Sequence, residues 1–177
     1  MSKRIVLIDG DILAFRASAA IEKRKVEVTH NKTGKVKVFD TRTKFKEFLS
    51  SKGLEYDQSD YSFKDTQEAE DPVNAFSIMK HQVKNIVDEL WADEYLIFLS
   101  GKLNFRDLLP LPSKYKGKRI SMLRPLHLTA CKMYLYKNHP SIAAVNREAD
   151  DDLSIYGYDY LAKGYTPYIV TIDKDAW

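Results

Sequence analysis

Four short apolar runs alternate along the chain with segments whose apolar residues recur at helical spacing. The runs predict buried strands over residues 4–8, 95–99, 142–145 and 167–172. Continuous apolar runs of this length are typical of parallel strands that are covered on both faces. The intervening segments predict helices over residues 12–22, 72–91, 125–138 and 148–164. The alternation therefore predicts an α/β fold of three α/β/α layers, in which helices cover a mostly parallel central sheet.

One stretch near the N-terminus has a different pattern. Two runs rich in β-branched residues flank a turn-forming link, and together they predict an inserted β-hairpin over residues 25–39. A capped helix is predicted from Thr41 or Thr43 to Gly53. Residues 55–71 are polar, acidic and aromatic without a clear period, and we predict an irregular connection there.

Length and charge narrow the classes of function. The 177 residues predict a single domain. The formal net charge is only +3, from 28 basic and 25 acidic residues. Eight of the acidic residues fall in three short clusters, which leaves 17 acidic residues against the 28 basic ones. A basic body around an acidic focus suits a protein that binds a polyanion and holds metal ions.

Several classes of protein are disfavoured by composition. No apolar run approaches the roughly 20 residues that a membrane span needs, so we expect no membrane partner. The single cysteine, Cys131, excludes an internal disulfide and suits a reducing compartment, so we expect a cytoplasmic protein. The four histidines have no metal-ligand spacing, which disfavours a zinc site.

Acidic residues directly follow three of the four predicted core strands. They are Asp9 and Asp11, then Glu148, Asp150, Asp151 and Asp152, and finally Asp173 and Asp175. Ligands of open α/β sheets bind at the carboxyl ends of the strands, so we expect these carboxylates to converge. Hard oxygen ligands at this density favour Mg²⁺ or Mn²⁺, and two such ions form the clamp used for phosphodiester hydrolysis. The alternative is that these acids are helix caps and turn residues.

Four stretches also match the motifs of one family in order and spacing. They are residues 6–16, residues 104–106 with 115–119, residues 148–151, and residues 169–175. In these stretches the chain resembles the flap endonuclease and 5′-to-3′ exonuclease family of bacterial and bacteriophage type. The resemblance implies a PIN-like nuclease domain that cuts 5′ flaps of DNA, or degrades DNA from 5′ ends, with two divalent metal ions. It also implies a location in the host cytoplasm if the protein is viral.

The resemblance assigns roles residue by residue. The acids that match the metal site are Asp9, Glu148, Asp150, Asp151, Asp173 and Asp175. Lys116 matches an active-site lysine at the base of a helical arch over residues 115–138, and Arg119 matches the arginine beside it. Lys116, Arg119, Asp9 and Asp151 are the candidate catalytic residues. The two cations suit this role because positive charge near the scissile phosphate stabilises the charge that develops there. The candidate contacts to nucleic acid are Arg16, Arg106, Lys114, Tyr115, Lys116, Lys118 and Arg119.

The chain departs from the family pattern in two places. Many members carry an aspartate just after the second core strand, but residues 100–104 hold no acid, so we expect one ion to be held through water or more weakly. The family also continues beyond Asp175 with further acids and a helix-hairpin-helix region that grips duplex DNA. We expect either a fragment or a small protein that borrows this region from a separate DNA-binding or replication protein.

Two acids fit the pattern less well, and two other functions stay open. Asp11 is the weaker metal candidate, and Asp152 is expected to be a first-turn helix residue.

A non-catalytic domain that binds nucleic acid or a replication protein would explain why residues 100–104 contain no acid. A haloacid-dehalogenase-type phosphatase would use Asp9 as nucleophile and Asp11 as acid/base, but it gives residues 114–119 no role.

Overall fold

The computed structural model describes residues 2–101, 104–108 and 123–172, without the side chains of residues 107 and 108. The strands are β1 (Arg4–Asp9), β2 (Glu22–His30), β3 (Val36–Phe39), β4 (Tyr61–Ala69), β5 (Glu94–Leu99), β6 (Ser141–Ala143) and β7 (Thr166–Val170). The helices are α1 (Gly10–Ala20), α2 (Arg42–Ser51), α3 (Pro72–Glu89), α4 (Leu128–Asn138) and α5 (Ala149–Ala162), and a short 3-10 turn covers Phe105–Leu108. The chain divides into two units, of which the first comprises Met1–Ile21 and Asp71–Trp177 and the second Glu22–Glu70.

The first unit is built on a four-stranded sheet with the order β6-β5-β1-β7. Every neighbouring pair in this sheet is parallel. Leu7 in the middle of β1 lies between Leu96 of β5 and Ile169 of β7. Because all four strands point the same way, their carboxyl ends lie along one edge of the sheet.

Helices cover both faces of this sheet. Val6 and Ile8 of β1 pack on one face in a core that includes α1, α3 and α4, with Met79 and Leu135 fully buried. Ile5, Leu7 and Phe98 point to the other face and pack against Ala149 and Leu153 of α5. The burial of apolar side chains on both faces explains why β1 and β5 are continuous apolar runs. The predicted three-layer α/β fold is confirmed.

The second unit is a small sheet with a helix packed on it. Strand β2 is central and pairs antiparallel with β3 and with β4. Val26 and Val28 of β2 are buried against Phe45 and Leu49 of α2. Thr41 caps α2, because its side chain accepts from the backbone N–H of Lys44 at 3.1 Å. The predicted hairpin and helix are therefore present.

The prediction of an irregular connection over residues 55–71 is wrong for Tyr61–Ala69, which forms β4. This strand pairs with β2 along nine residues, from Tyr61 opposite His30 to Ala69 opposite Glu22. Only Tyr61 and Phe63 carry apolar side chains into the aromatic core of this unit. The rest of the strand is polar because it lies at the edge of a sheet that is covered on one face, so the sequence gives no continuous apolar run.

Candidate active site

The end of β1 places a buried carboxylate at the carboxyl edge of the first sheet. Asp9 is the last residue of β1 and the N-cap of α1, with only 8% of its surface exposed. Its Oδ1 accepts from the backbone N–H groups of Asp11 and Ile12 at 3.0 and 3.2 Å. Its Oδ2 accepts from the hydroxyl of Thr171, just beyond β7, at 3.2 Å. Asp9 therefore joins the carboxyl ends of two neighbouring strands.

The charge of Asp9 is poorly compensated by the surrounding protein. Burial raises the pKa of its carboxyl above the usual value, and the neighbouring charge of Asp11 raises that pKa further. Hydrogen bonds from Ile12, Thr171 and Asp11 oppose this effect. In the described part of the chain, no lysine or arginine forms an ion pair with Asp9. A cation at this position would relieve the electrostatic cost of the buried carboxylate.

Ser100, directly after β5, ties three elements of the first unit together. Its backbone N–H donates to Asp11 Oδ1 at 3.2 Å, at the start of α1. Its hydroxyl accepts from the backbone N–H of Ala149 at 3.0 Å, at the start of α5. The first turns of α1 and α5, each preceded by predicted metal-site acids, thus meet at the end of β5. Ser100 and Thr171 were not predicted as site residues, and their only signal in the sequence is that each follows a strand.

Glycines permit the close approach of backbones around Ser100. A Cβ atom on Gly10 would lie 2.8 Å from the backbone oxygen of Phe98, which lets α1 begin against β5. A Cβ atom on Gly101 would lie 2.3 Å from the backbone oxygen of Ala144. No side chain fits at Gly101 without a shift of the backbone after β6. Position 101 therefore has no room for an acidic side chain.

Asp11 is held by a cation from α4. Lys132 Nζ lies 2.7 Å from Asp11 Oδ1, and each of the two side chains is about 30% exposed or less. The same oxygen accepts from the Ser100 backbone. This ion pair gives Asp11 a structural role in joining α1, β5 and α4. Lys132 was not predicted, because nothing in the sequence relates a lysine in the middle of a helix to an acid more than a hundred residues away.

The acidic block Glu148 to Asp152 lies at the start of α5, as its position after a strand predicts. Glu148 is the N-cap, and its backbone N–H donates to Asp151 Oδ2 at 3.0 Å. Ala149 and Asp152 are buried, whereas Glu148, Asp150 and Asp151 are partly exposed. The helix dipole stabilises negative charge in this first turn. Glu148, Asp150 and Asp151 thus lie partly exposed at the carboxyl edge of the sheet.

Asp151 is bound by Arg106 in a two-pronged ion pair. Arg106 Nη1 donates to Asp151 Oδ2 and Nη2 donates to Oδ1, both at 2.8 Å. Arg106 holds the pKa of the Asp151 carboxyl below its usual value, chiefly through these hydrogen bonds. The side chains are 28% and 27% exposed. Arg106, predicted to contact nucleic acid, thus lies beside a predicted metal ligand.

Asp152 has the structural role expected of a first-turn residue. It is 1% exposed, and its Oδ1 lies 2.6 Å from Nε of Arg147.

Arg16, another predicted contact to nucleic acid, is exposed on α1. The remaining predicted site residues lie outside the described part of the chain: Lys114, Tyr115, Lys116, Lys118, Arg119, Asp173 and Asp175. Of the predicted arch over residues 115–138, residues 115–122 lie outside it as well, whereas residues 123–138 are described and include α4.

The side-chain types of the predicted ligands suit a hard divalent cation, but the positions of the described ones suit it only in part. The predicted ligands are all carboxylate oxygens, which Mg²⁺ and Mn²⁺ prefer, and Asp9 is buried with a raised pKa. Among the residues that the structure describes, however, no three acidic, histidine or cysteine side chains are grouped closely enough to hold a metal ion. The predicted ligands Asp173 and Asp175 lie outside the described residues.

Comparison with solved structures finds proteins with a similar fold. A mutant of the T5 5′-exonuclease matches with a TM-score of 0.51 and 12% identity, over 98% of this chain and 45% of the other. A T5 protein co-crystallised with metal ions matches with a TM-score of 0.51 and 14% identity, over 98% of this chain and 50% of the other. The chain thus spans about half the length of these structures. No protein-family model and no curated protein matches the sequence.

These matches bear on the fold. The likeness covers nearly all of the chain, so the chain shares the α/β fold of these structures. At 12–14% identity, it says nothing about individual site residues. No helix in the described ranges is both long enough and apolar enough to cross a membrane.

Proposed function

We propose that this protein is a divalent-metal-dependent 5′ nuclease that hydrolyses phosphodiester bonds of DNA at 5′ ends or flaps. One observation carries the proposal. Asp9, Ser100 and the acidic start of α5 all lie at the carboxyl edge of a sheet whose fold matches a 5′-exonuclease over 98% of this chain. This edge is where open α/β sheets bind their ligands.

The proposed cofactors are two Mg²⁺ or Mn²⁺ ions. Their ligands would come from Asp9, Glu148, Asp150, Asp151, Asp173 and Asp175. When bound, such ions activate water and stabilise the charge that develops on the phosphate. One of the similar structures was crystallised with metal ions, which supports the proposal by analogy.

The chain's own residues would position the metal ligands and supply positive charge for binding the substrate. Asp9 is fixed by three hydrogen bonds, so its carboxylate needs no reorganisation to receive a cation. Ser100 holds the start of α5 against β5 and so sets where Glu148 and Asp150 lie. Lys116 and Arg119 would bind the scissile phosphate, and Arg16 would bind a phosphate further along the strand. Their positive charge suits a polyanionic substrate.

A non-catalytic nucleic-acid-binding domain is the second candidate. It is favoured by the ion pairs of Asp11 with Lys132 and of Asp151 with Arg106, which engage two acids of the edge. The phosphatase alternative gains no such support. Asp11 would have to act as acid/base there, but it is engaged by Lys132 and by the backbone of Ser100.

The decisive experiment uses 5′-labelled flap and blunt duplex DNA with Mg²⁺, with Mn²⁺, or with EDTA. We expect cleavage that requires the metal and that falls about 100-fold or more in Asp150→Asn, since removing one charge-stabilising group costs this much in other enzymes. Asp159→Asn is the matched control, because Asp159 is an exposed acid on the same helix, away from the site. Metal-independent cleavage, or equal cleavage by both variants, would refute the nuclease proposal.

A further inference from the structure

The charges of the second unit are divided between its elements. Residues 35–52, which form β3 and α2, contain six basic residues and two acidic ones. Residues 53–70, which include β4, contain one basic residue and six acidic ones. Strands β3 and β4 are the two edges of this sheet, with β2 between them. Positive charge therefore gathers on β3 and α2, and negative charge gathers on the β4 edge.

Only part of the positive charge on β3 and α2 is neutralised within the unit. Arg42 and Lys44 each form an ion pair with an acid at 2.8 Å. Lys37 and Lys46 are exposed, and neither forms an ion pair with an acid in the described part of the chain. These two ammonium groups are therefore open to an anion from outside the unit.

Lys37 and Lys46 both lie over aromatic rings on the side of the sheet that carries α2. Lys37 Nζ is 4.2 Å from the centre of the Phe48 ring, and Lys46 Nζ is 4.6 Å from the centre of the Tyr56 ring. Lys37 lies opposite Val28, which is buried against α2, so it is on the face that α2 covers. The ring contacts orient the two side chains without removing their charge.

Tyr56 presents part of its ring to solvent from a supported position. It lies nearly parallel to Tyr61, with the ring centres 6.3 Å apart and an angle of 12° between the planes. The edge-on ring of Phe45 contacts it as well, at 6.1 Å between centres. Tyr56 is nevertheless 36% exposed. A supported, partly exposed ring beside a lysine is the arrangement on which single-stranded nucleic acids stack their bases.

We propose that Lys37, Lys46 and Tyr56 form a contact surface for a single DNA strand on the α2 side of the small sheet. The two lysines bind backbone phosphates, and the Tyr56 ring stacks on a base. The inference rests on the proposed nuclease function for the choice of DNA as the polyanion. It uses none of the candidate metal-site acids, so the contact does not require a bound metal ion.

Binding of the full chain to a fluorescently labelled oligothymidine, followed by fluorescence anisotropy in EDTA, tests the proposal. The double variant Lys37→Gln/Lys46→Gln should bind about tenfold more weakly than the wild type at low salt. Its dependence of log Kd on log salt concentration should be shallower by about 1.4, because each phosphate contact to a single strand contributes about 0.7. Tyr56→Leu should weaken binding about fivefold or more with an unchanged salt dependence, and Tyr56→Phe should bind like the wild type.

Two double variants serve as controls for charge and folding. Lys23→Gln/Lys25→Gln removes the same charge from exposed lysines of β2 that alternate with Val26 and so lie on the sheet face away from α2. It should bind like the wild type. Lys37→Arg/Lys46→Arg keeps the charge and should also bind like the wild type, whereas far-UV circular dichroism checks that each variant is folded.

The outcomes separate this inference from the nuclease proposal. A wild type that does not bind the oligothymidine, unchanged binding by Lys37→Gln/Lys46→Gln, or an equal loss in both glutamine double variants would overturn the inference. Metal-dependent cleavage of flap DNA by the wild type is measured independently of these results. Cleavage without a role for the lysines overturns the inference alone, and binding that needs the lysines without any cleavage overturns the nuclease proposal alone.

Discussion

Gly101 offers the sharpest test of how the site is assembled. A Cβ atom there would lie 2.3 Å from the carbonyl oxygen of Ala144, whereas real Cβ atoms essentially never come within 3.0 Å of another atom. The Gly101→Ala variant must therefore move one backbone segment by at least 0.7 Å. The backbone N–H of Ala144 donates to the carbonyl of Leu99 at 2.8 Å, and this bond between β5 and the end of β6 is the first that the shift would strain.

The size of the effect follows from these contacts. Overpacking of a close-packed site costs about 1–3 kcal/mol, and a strained backbone hydrogen bond adds about 1 kcal/mol. We expect Gly101→Ala to lower the free energy of unfolding by about 2–4 kcal/mol. Urea denaturation followed by far-UV circular dichroism measures this, with the slope m compared between variants. Because Ser100 is the preceding residue, nuclease activity should fall as well.

Gly157→Ala provides the matched control for this prediction. The nearest atom to its Cβ would be the flexible end of the Ile169 side chain, at 3.3 Å, and Leu7 would lie at an ordinary contact distance of 3.9 Å. Gly157 lies inside α5, where alanine is favoured over glycine by about 0.5–1 kcal/mol. We expect this variant to be as stable as the wild type within about 1 kcal/mol. If Gly101→Ala were as stable as Gly157→Ala, the close approach after β5 would be incorrectly described.

Three further predictions concern the acids and their partners. Ser100→Ala removes the acceptor for the Ala149 N–H and should cost about 1 kcal/mol in urea denaturation, with unchanged stability counting against its capping role. Asp152→Asn breaks the ion pair of the buried Asp152 with Arg147, whose side chain is 43% exposed, and should cost about 1–3 kcal/mol while leaving Mn²⁺ binding intact, since Asp152 faces the protein interior. Asp9→Asn should be more stable than the wild type in EDTA at neutral pH, because burial raises the pKa of Asp9 and its ionised form is the costly one. That advantage should shrink as the pH falls through the pKa of Asp9 in the folded state, where the wild type takes up the proton, and an advantage that grew on acidification would contradict the assignment.

The strands and helices of the first unit were largely predictable because burial on both sheet faces leaves a plain apolar signal. Strand β1 was predicted over residues 4–8 and is found at Arg4–Asp9, and α3 begins at the predicted Pro72. Boundaries differ by a few residues where a cap, such as Asp9 at α1, decides the start. The polar strand β4 was missed, since its order comes from pairing with β2 and not from its own residues.

The candidate site was predictable in its acids and not in their partners. Asp9 and Glu148 stand out because each comes after an apolar run that predicts a strand, and this places both at the same edge of the sheet. The cations that neutralise the acids are distant in sequence, as with Lys132 for Asp11 and Arg106 for Asp151. Such pairs depend on the geometry of several packed elements, which no local pattern encodes.

The central claim is tested most directly by the cleavage of a 5′-labelled flap in Mn²⁺. Cleavage by the wild type is compared with cleavage by Asp9→Asn, and an unfolding curve is measured for each protein. Asparagine keeps the N-cap bonds of Asp9 but lacks its charge. The nuclease account predicts metal-dependent cleavage by the wild type, and no cleavage by a variant that is folded and at least as stable. Cleavage that persists in a folded Asp9→Asn, or a wild type that binds flap DNA without cutting it in Mn²⁺, would contradict that account.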